Sequence, residues 1–457
     1  MDLRPNSDEA RDIAYHFHGY TNARTHADIG PLIINEGEGI HVTDTNGNRY
    51  IEGMSGLWSV AVGFNEKRLM DAASQQMQQL PYYHNFSHRS HGPAIDLAEK
   101  LIEIAPVPMS KVFYTNSGSE ANDTIVKMVW YRSNALGTPE KKKIISRTRG
   151  YHGVTVASAS MTGLPYNHKS FDLPLDGILH TTCPHYWRES LDGETEEAFA
   201  SRCAQDLDDM IQAEGPETVA AFIAEPVMGA GGVVVPPATY WSKIQAVLAK
   251  YDILLIADEV ICGFGRTGNM FGSTTYDIKP DILTMSKQIT SSYFPFSAFM
   301  INDRVYDAIA EETGRIGVLG HGYTGGGHPV GAAVALENIK IIEERDLVAN
   351  AAERGAELQA GLAELQDHAL VAEARGVGLI GALELVVPEG HENSMPPGKI
   401  GLHMNAIMLR NGLISRNMLD AMGFCPPLIV GPNDIAQILE ITHRSLNELA
   451  SELANAP

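Results

Sequence analysis

Short apolar runs alternate with amphipathic helical segments through the middle of the chain. Six runs have the length and the polar borders of buried strands, at residues 111–116, 142–148, 219–226, 252–260, 281–286 and 296–302. Between two of them, residues 238–251 carry apolar side chains at helical spacing. This alternation predicts an α/β fold with a mainly parallel sheet, whose strands are joined by right-handed helical crossovers.

The two ends of the chain show a different pattern. Asn46-Gly47 lies between two short β-rich runs and predicts a hairpin, and residues 66–80 form a helical stretch. Helical periodicity returns at 331–347 and again at 434–453. We therefore expect a large domain over 65–330, with an N-terminal segment, 1–64, that joins a C-terminal section, 331–457, in a smaller α+β domain.

Composition and charge narrow the class of protein. The chain has 457 residues, 44% of them hydrophobic, and 34 Lys and Arg against 56 Asp and Glu give a net charge of −22. Such a charge repels nucleic acid and anionic lipid, so we expect neither as a partner. The N-terminus is polar, no apolar run would span a bilayer, and the four cysteines form no CxxC pair. These features predict a cytoplasmic protein with reduced thiols.

Two weaker patterns suggest other sites. Residues 263–268 (GFGRTG) and 376–381 (GVGLIG) have the spacing of a dinucleotide fingerprint, but neither opens a helix, so we interpret them as turns. His84, His88 and His91 could line one helical face around a metal, but Asn, Ser and Gly between them favour a loop. We expect no metal site.

A strand that runs through a Ser-Gly-Ser turn into a helix marks an anion site. In residues 114–132, Ser117, Gly118 and Ser119 would present hydroxyls and backbone amides at the positive end of the helix. The alternative is a simple cap on a surface helix. A phosphate or a carboxylate would fit the turn.

Strand ends supply an acid and an amine. Asp258 and Glu259 follow a fully apolar run, and adjacent strand positions face opposite sides, so a central strand would bury one of these acids. Lys287 follows the next apolar run, where partial removal from water would make its amine a nucleophile for a carbonyl. An anion cradle, a buried acid and such a lysine together fit pyridoxal phosphate, which needs amides for its phosphate, a carboxylate for its ring nitrogen and a lysine for its aldehyde.

With these features the chain resembles the class III pyridoxal-phosphate aminotransferases, the omega-transaminases, over nearly its whole length. The resemblance is carried by seven segments, GMSGLWSVAVGF (53–64), TNSGSEAND (115–123), RGYHGVT (149–155), AEPVMGAGGVVVPP (224–237), ADEVICGFGRTG (257–268), SKQITSSYFP (286–295) and HGYTGGGHPVGAA (321–333). It implies a fold type I transferase with a seven-stranded sheet in the large domain.

The resemblance also implies the residues that hold the cofactor. Lys287 would bond to the cofactor aldehyde and Asp258 would pair with the ring nitrogen, and the other implied contacts are Ser117, Gly118, Ser119, Tyr151, His152, Glu225, Val260 and Thr324. Thr324 would reach the phosphate of a neighbouring subunit, which implies a homodimer with shared sites. Whether dimers pair into tetramers stays open.

For the substrate, the resemblance implies aromatic walls from Tyr20, Trp58, Phe86 and Tyr151, and a carboxylate contact from Arg416. Without the resemblance, Arg416 would be interpreted as a surface charge. The chain departs from the common family pattern at TGGGHP (324–329), where many relatives carry a tyrosine, so substrate preference does not transfer directly.

These inferences predict an enzyme that moves an amino group from an amine or omega-amino acid to a keto acid, with pyruvate as the expected acceptor, in two half-reactions. Two alternatives stay open from the residues. One is another fold type I enzyme with a different outcome, a decarboxylase or an aminomutase, and the other is a cofactor-binding protein without turnover.

Overall fold

The computed structural model of the protein describes residues 4–387 and 395–455. The N-terminal part begins with two short helices whose first turns are capped by Ser7 and Asn22, followed by a hairpin and three further helices. Its elements are α1 (Asp8–Tyr15), α2 (Ala23–Ile29), β1 (Ile34–Glu38), β2 (His41–Asp44), β3 (Arg49–Glu52), α3 (Ser55–Trp58), α4 (Lys67–Gln79) and α5 (Gly92–Glu103). Strands β2 and β3 pair antiparallel around Asn46-Gly47, which confirms the predicted hairpin.

The central part alternates strands and helices. Its elements are β4 (Lys111–Thr115), α6 (Gly118–Ala135), β5 (Lys143–Arg147), α7 (Val156–Met161), β6 (Ile178–Thr181), α8 (Tyr186–Glu189), α9 (Glu196–Glu214), β7 (Val219–Ala224), α10 (Tyr240–Lys250), β8 (Leu254–Asp258), α11 (Gly272–Thr275), β9 (Ile282–Met285), β10 (Ser297–Ile301) and α12 (Asp303–Ile316). Short 3₁₀ turns lie at Pro165–Asn167 and Lys287–Ile289.

The central strands form one seven-stranded sheet in the order β4-β10-β9-β8-β7-β5-β6. The strands from β9 to β6 are parallel, and β10 runs antiparallel to both of its neighbours. This confirms the predicted mainly parallel sheet, and all six predicted strands lie in it. The seventh strand, β6, was not predicted from its residues, because ILHT is short and half-exposed at the sheet edge.

The C-terminal part returns to the N-terminal part. Its elements are α13 (Pro329–Glu344), α14 (Leu347–Leu365), β11 (Val371–Val377), β12 (Ile380–Leu385), α15 (Lys399–Arg410), β13 (Leu413–Ile414), β14 (Arg416–Met418), β15 (Ala421–Phe424) and α16 (Pro432–Ala454). Strand β13 pairs parallel with β3, so that one small sheet, β1-β2-β3-β13, contains both ends of the chain. A second small sheet has the order β11-β12-β15-β14.

Apolar layers cover both faces of the large sheet. On one face α6 and α12 pack around Ile125, Val129 and Val305, and on the other α9 and α10 pack around Phe199, Leu207 and Trp241, all of them buried. Every residue of β7 and β8 is buried, which explains their uniformly apolar sequence. None of the described helices is long and apolar enough to cross a membrane.

Candidate active site

The carboxyl ends of the central strands converge on one small cavity. It has a volume of about 140 Å³ and lies where β4 leads into α6, β8 ends at Asp258 and β9 is followed by Lys287. Ligands of open α/β sheets bind at such strand ends. The residues that line the cavity are Gly118, Ser119, Tyr151, His152, Gly153, Glu225, Asp258, Val260, Ile261, Ser286 and Lys287.

Three donors fix the carboxylate of Asp258, which is buried. Its Oδ2 accepts hydrogen bonds from Asn122 Nδ2 at 2.9 Å and from His152 Nδ1 at 2.8 Å, and its Oδ1 accepts one from the amide of Val260 at 3.1 Å. Thr284 Oγ1 in turn donates to Asn122 Oδ1 at 3.0 Å, which orients the amide group. The carboxylate is thus held in one orientation at the cavity wall.

Lys287 is the cation of the cavity. It lies two residues after the end of β9 and has a left-handed backbone with φ of 47°, and its side chain lines the cavity. Burial lowers the pKa of the Lys287 amine, and the negative charges of Asp258 and Glu225 act in the opposite direction. Its Nζ lies 6.0 Å from the centroid of the Tyr151 ring. A larger share of this amine is therefore neutral, and nucleophilic, than of a solvated lysine.

The N-terminus of α6 offers unpaired amides. Ser117 caps the helix, its Oγ accepting from the amide of Glu120 at 3.2 Å, while no described group accepts from the amides of Gly118 and Ser119. A Cβ on Gly118 would lie 3.2 Å from a methyl group of Val260, so a larger residue would narrow the cradle. Ser117 thus fulfils the capping alternative, whereas Gly118 and Ser119 lie at the cavity with free donors.

Glu225 supports the aromatic wall. Its buried carboxylate accepts hydrogen bonds from the amide of Tyr151 at 3.0 Å and from the amide of Gly229 at 2.8 Å. Burial raises the pKa of Glu225. Burial also raises the pKa of the Tyr151 hydroxyl, and a hydrogen bond with Tyr20 adds to the shift. These contacts fix the position of the Tyr151 loop beside Lys287.

Glu259 shows why two adjacent acids follow β8. The sequence predicted that one of the two acids would be buried. Both are buried, and they face opposite sides of the strand. The Glu259 carboxylate accepts from the amides of Gly272 and Ser273 and from Ser273 Oγ, and burial raises its pKa to about 7. Glu259 therefore stabilises the turn that contains α11, away from the cavity.

The other predicted substrate residues do not line the cavity. Trp58 is buried against the hairpin of β14 and β15, since a Cβ on Gly423 would lie 3.4 Å from its ring, and Arg416 pairs with Gly423 in that hairpin. Trp58 also packs in a cluster with Ile261 of the cavity wall. The hairpin, Trp58 and the cavity are thus contiguous.

Tyr20, Phe86 and Thr324 are exposed. The Tyr20 hydroxyl accepts from Asn167 Nδ2 at 2.7 Å, close to Tyr151. Phe86 lines a separate surface groove of about 1160 Å³, and the carbonyl of Thr324 accepts from the Tyr82 hydroxyl. Their predicted roles stay predictions.

The alternative sites have structural roles. Residues 263–268 form consecutive turns, and residues 376–381 form the turn between β11 and β12, so neither pattern opens a helix. His91 caps α5 and binds the carbonyl of Gly327 at 2.8 Å. His84 and His88 belong to no metal-binding arrangement among residues 4–387 and 395–455.

Sequence reasoning missed several cavity residues. Asn122, Thr284, Gly153, Ile261 and Ser286 were not singled out, although all contact or line the site. A signal existed for Asn122, which lies one helical turn after Gly118 and therefore on the same face of α6. Ser286 directly precedes Lys287, and Ile261 directly follows Val260.

The residues of the cavity fit pyridoxal phosphate. The free amides of Gly118 and Ser119 at a helix N-terminus suit a phosphate, the fixed carboxylate of Asp258 suits a protonated ring nitrogen, and the Lys287 amine suits an aldehyde. Tyr151 and Val260 offer an aromatic and an aliphatic surface for a planar ring.

Known proteins share this architecture. Residues 21–446 match the family model described as Aminotransferase class-III. Gamma aminobutyrate transaminase 1, mitochondrial, from Solanum lycopersicum is 50% identical over 423 residues, which cover 92% of this chain and 82% of that protein. The omega transaminase from Pseudomonas jessenii in complex with PMP has a TM-score of 0.96 and 58% identity, covering 99% of this chain and 100% of that one. A solved structure described as a transaminase with L-Ala has a TM-score of 0.91 and 64% identity, covering 92% and 100%.

The match over nearly the whole chain agrees with the strand-end cavity and its cofactor-compatible residues. The chain belongs to the class III aminotransferases, which use pyridoxal phosphate to transfer an amino group to a keto acid.

Proposed function

We propose that this aminotransferase takes its amino group from an amine or an omega-amino acid and gives it to pyruvate, with Arg416 holding the substrate carboxylate. The observation that carries the proposal is the state of Arg416. Among the described residues Arg416 takes part in no ion pair, whereas Arg410 nearby pairs with Glu448 and Glu452. A partly buried guanidinium without an acid is suited to an incoming carboxylate.

The position of Arg416 supports this role. Its charge opposes the rise that burial causes in the pKa of Tyr151 and adds to the lowering that burial causes in the pKa of Lys287, so Arg416 lies near both cavity residues. The ring of Trp58 lies against the same hairpin. A substrate between Arg416 and Lys287 would thus meet a cation at one end, the amine at the other and aromatic side chains around its carbon chain.

Names of relatives agree with these substrates. Gamma-aminobutyrate is an omega-amino acid, and L-alanine is the product that pyruvate would give. The same site must also accept a substrate amine at the position of Lys287. Arg416 lies on a short hairpin rather than in the packed core. Its side chain can therefore turn toward a substrate carboxylate or away from a substrate that has none.

Pyridoxal phosphate, when bound, supplies an aldehyde that accepts an amine and a protonated ring that takes up the electrons of the substrate carbon. The residues of the chain do the rest. Asp258 holds a negative charge where the ring nitrogen would lie, and Asn122 and His152 keep its oxygen fixed. Gly118 and Ser119 would donate their amides to the phosphate, and Tyr151 would offer its ring to one face of the cofactor.

Lys287 moves the proton. Lys287 would hold the cofactor aldehyde, and its Nζ lies inside the cavity with a pKa that burial lowers, so a neutral amine there could accept a proton from a substrate carbon and give it up again. Val260 and Ile261 give part of the cavity wall an apolar surface.

A panel of amines and omega-amino acids, each incubated with pyruvate and the holoenzyme, tests the proposal. We expect alanine to form in an amount equal to the amine consumed. Carbon dioxide without alanine would instead identify a decarboxylase, and an amine shifted within one molecule would identify an aminomutase. Formation of glutamate from 2-oxoglutarate but no alanine from pyruvate would contradict the proposed acceptor.

Arg416→Ala, measured in the same assay, tests the carboxylate contact. We expect kcat/KM for pyruvate to fall by about 10²-fold, the value of one charge-assisted bidentate contact of about 3 kcal/mol, while kcat/KM for an uncharged aromatic amine changes far less. Arg410→Ala is the matched control, because Arg410 lies a few residues away and is exposed. Equal losses on both substrates would show that Arg416 has no selective role.

We also propose that two chains share their sites in a homodimer. Support comes from one face of the chain, where Phe86 lines the 1160 Å³ groove together with Phe113 and Tyr114, and where Tyr82, Phe86 and Val318 are exposed. Apolar side chains in such number on one face are typical of an interface. Thr324, beside that groove, would then reach a partner's cavity. Light scattering should give twice the mass of one chain, and a monomer at micromolar concentration would contradict the proposal.

A further inference from the structure

Three histidines converge on one carboxylate at the N-terminus. Asp12 lies in α1, His16 and His18 lie just after the end of α1, and His26 lies in α2. Asp12 Oδ1 lies 3.2 Å from His16 Nδ1, and its Oδ2 lies 2.8 Å from His18 Nε2 and 3.1 Å from His26 Nε2. We name these four residues the N-terminal cluster.

The spacing of these atoms suits a tetrahedral metal ion. With metal–ligand bonds of about 2.0–2.1 Å, the ligand atoms of a tetrahedral zinc site lie about 3.3–3.4 Å apart. The three oxygen–nitrogen distances in the cluster, 2.8–3.2 Å, are shorter than that separation by about 0.1–0.6 Å. The rings are also close together, with centroids of His16 and His18 at 4.1 Å and of His18 and His26 at 4.5 Å. The ligand atoms of Asp12, His16 and His18 all lie within 4.8 Å of one another, and His26 approaches the same carboxylate from α2.

The structure assigns the N-terminal cluster as a site for a divalent transition-metal ion of the zinc class. Three imidazoles and one carboxylate form a donor set that zinc, nickel and copper prefer and that calcium and magnesium do not. Three of the ligands have side chains that are mostly shielded, with exposed fractions of 17% for Asp12, 27% for His18 and 14% for His26. His16 is 65% exposed and would be the outermost ligand.

A second group of possible metal ligands in the molecule is already paired with arginine side chains. His185, Glu373 and Glu384 also lie close together, but Arg375 pairs with both carboxylates and Arg188 pairs with Glu384. Two guanidinium groups already neutralise those acids. In the described part of the chain, no lysine or arginine pairs with Asp12. No side-chain cation of that kind therefore neutralises the carboxylate that a metal ion would bind.

The alternative is that Asp12 only joins the two helices by hydrogen bonds. An ion would do more, because it would crosslink α1 to α2 around the segment that contains Tyr20. The Tyr20 hydroxyl binds Asn167, so this segment is connected to the rim of the active site. No local spacing of residues predicts this cluster, because its ligands lie on two helices and the segment between them and converge only when these elements pack.

Titration calorimetry of the holoenzyme with zinc chloride tests the assignment. The protein must be free of any histidine tag and treated with a chelator beforehand. We expect one zinc ion per chain in the wild type, and a loss of affinity of more than about 10-fold in His18→Ala and in His26→Ala. His443→Ala is the matched control, since His443 is exposed on α16 and outside the cluster, and it should bind like the wild type.

Two further readouts separate a metal site from a structural contact. Cobalt in place of zinc should give the visible absorption of a tetrahedral complex, lost in Asp12→Ala. Zinc should slow amide hydrogen exchange in residues 8–29 of the wild type but not of His18→Ala. Zinc affinity that is unchanged in His18→Ala and His26→Ala, or no binding in the wild type, would overturn the assignment. Circular dichroism would show that the variants keep their fold.

Discussion

Replacing Lys287 by alanine should lower kcat by about 10³-fold or more while the fold persists. In the role proposed for Lys287, the variant would lose both the nucleophile for the cofactor aldehyde and the base that moves the proton, and each of these contributions is large. Because the side chain ends in a cavity rather than in the packed core, its removal leaves no unpaired group in the protein. We therefore expect a normal melting temperature in the absence of cofactor.

Two measurements check this result. Single-turnover assays with an amine give the rate of the first half-reaction, and the visible spectrum shows whether the yellow lysine-linked cofactor has disappeared. Lys279→Ala is the matched control, because Lys279 is exposed and pairs with Asp277 on the surface. If Lys287→Ala kept near-normal rates, another group would have to be the base, and the assignment of Lys287 would be wrong.

Asp258→Asn should produce the second largest loss, of about 10²-fold or more in kcat. The asparagine side chain has nearly the same shape and can still accept from Asn122, but it carries no negative charge to keep the ring nitrogen protonated. Without that proton the ring withdraws fewer electrons from the substrate carbon. Cofactor affinity should fall far less than kcat, since the phosphate contacts at Gly118 and Ser119 are unchanged.

The loss of charge can be separated from the loss of packing. Asp281→Asn serves as the control. Asp281 lies just before β9, at the end of the strands that is opposite the cavity, where its carboxylate accepts hydrogen bonds from the amide of Leu255 and from Asn302. It should affect stability without a selective effect on kcat. A fall in kcat that is equal in both variants, or a cofactor that no longer binds Asp258→Asn, would show that Asp258 acts through the fold and not through the ring.

The strands that carry the site could be predicted from the sequence because each is a local pattern. The apolar runs that end at Asp258 and before Lys287 are uniformly buried strands, and the turn before α6 contains a strong capping residue, Ser117. Each of these signals lies within a few neighbouring residues. Joining them into one cofactor site required only that strand ends meet at one edge of a sheet.

The partners of these residues could not be predicted in the same way. Asn122 and His152 bind the carboxylate of Asp258 from positions 136 and 106 residues away along the chain. A hydrogen bond requires a donor–acceptor distance that is correct to a few tenths of an ångström. The separation of two residues along the chain does not define that distance. The resemblance to a family supplied the role of His152, whereas the hydrogen bond from Asn122 to Asp258 depends on how α6 packs against the large sheet.

The sequence by itself thus determined the α/β class, the mainly parallel sheet, the acid and the lysine of the site, and the family. Only the tertiary structure decided that Glu259 is buried as well as Asp258 and stabilises a turn, that Trp58 packs against the hairpin that contains Arg416, and that Asp12 and three histidines converge. The physical reason is that burial patterns and turns are local, while convergence of side chains depends on how complete elements pack against one another.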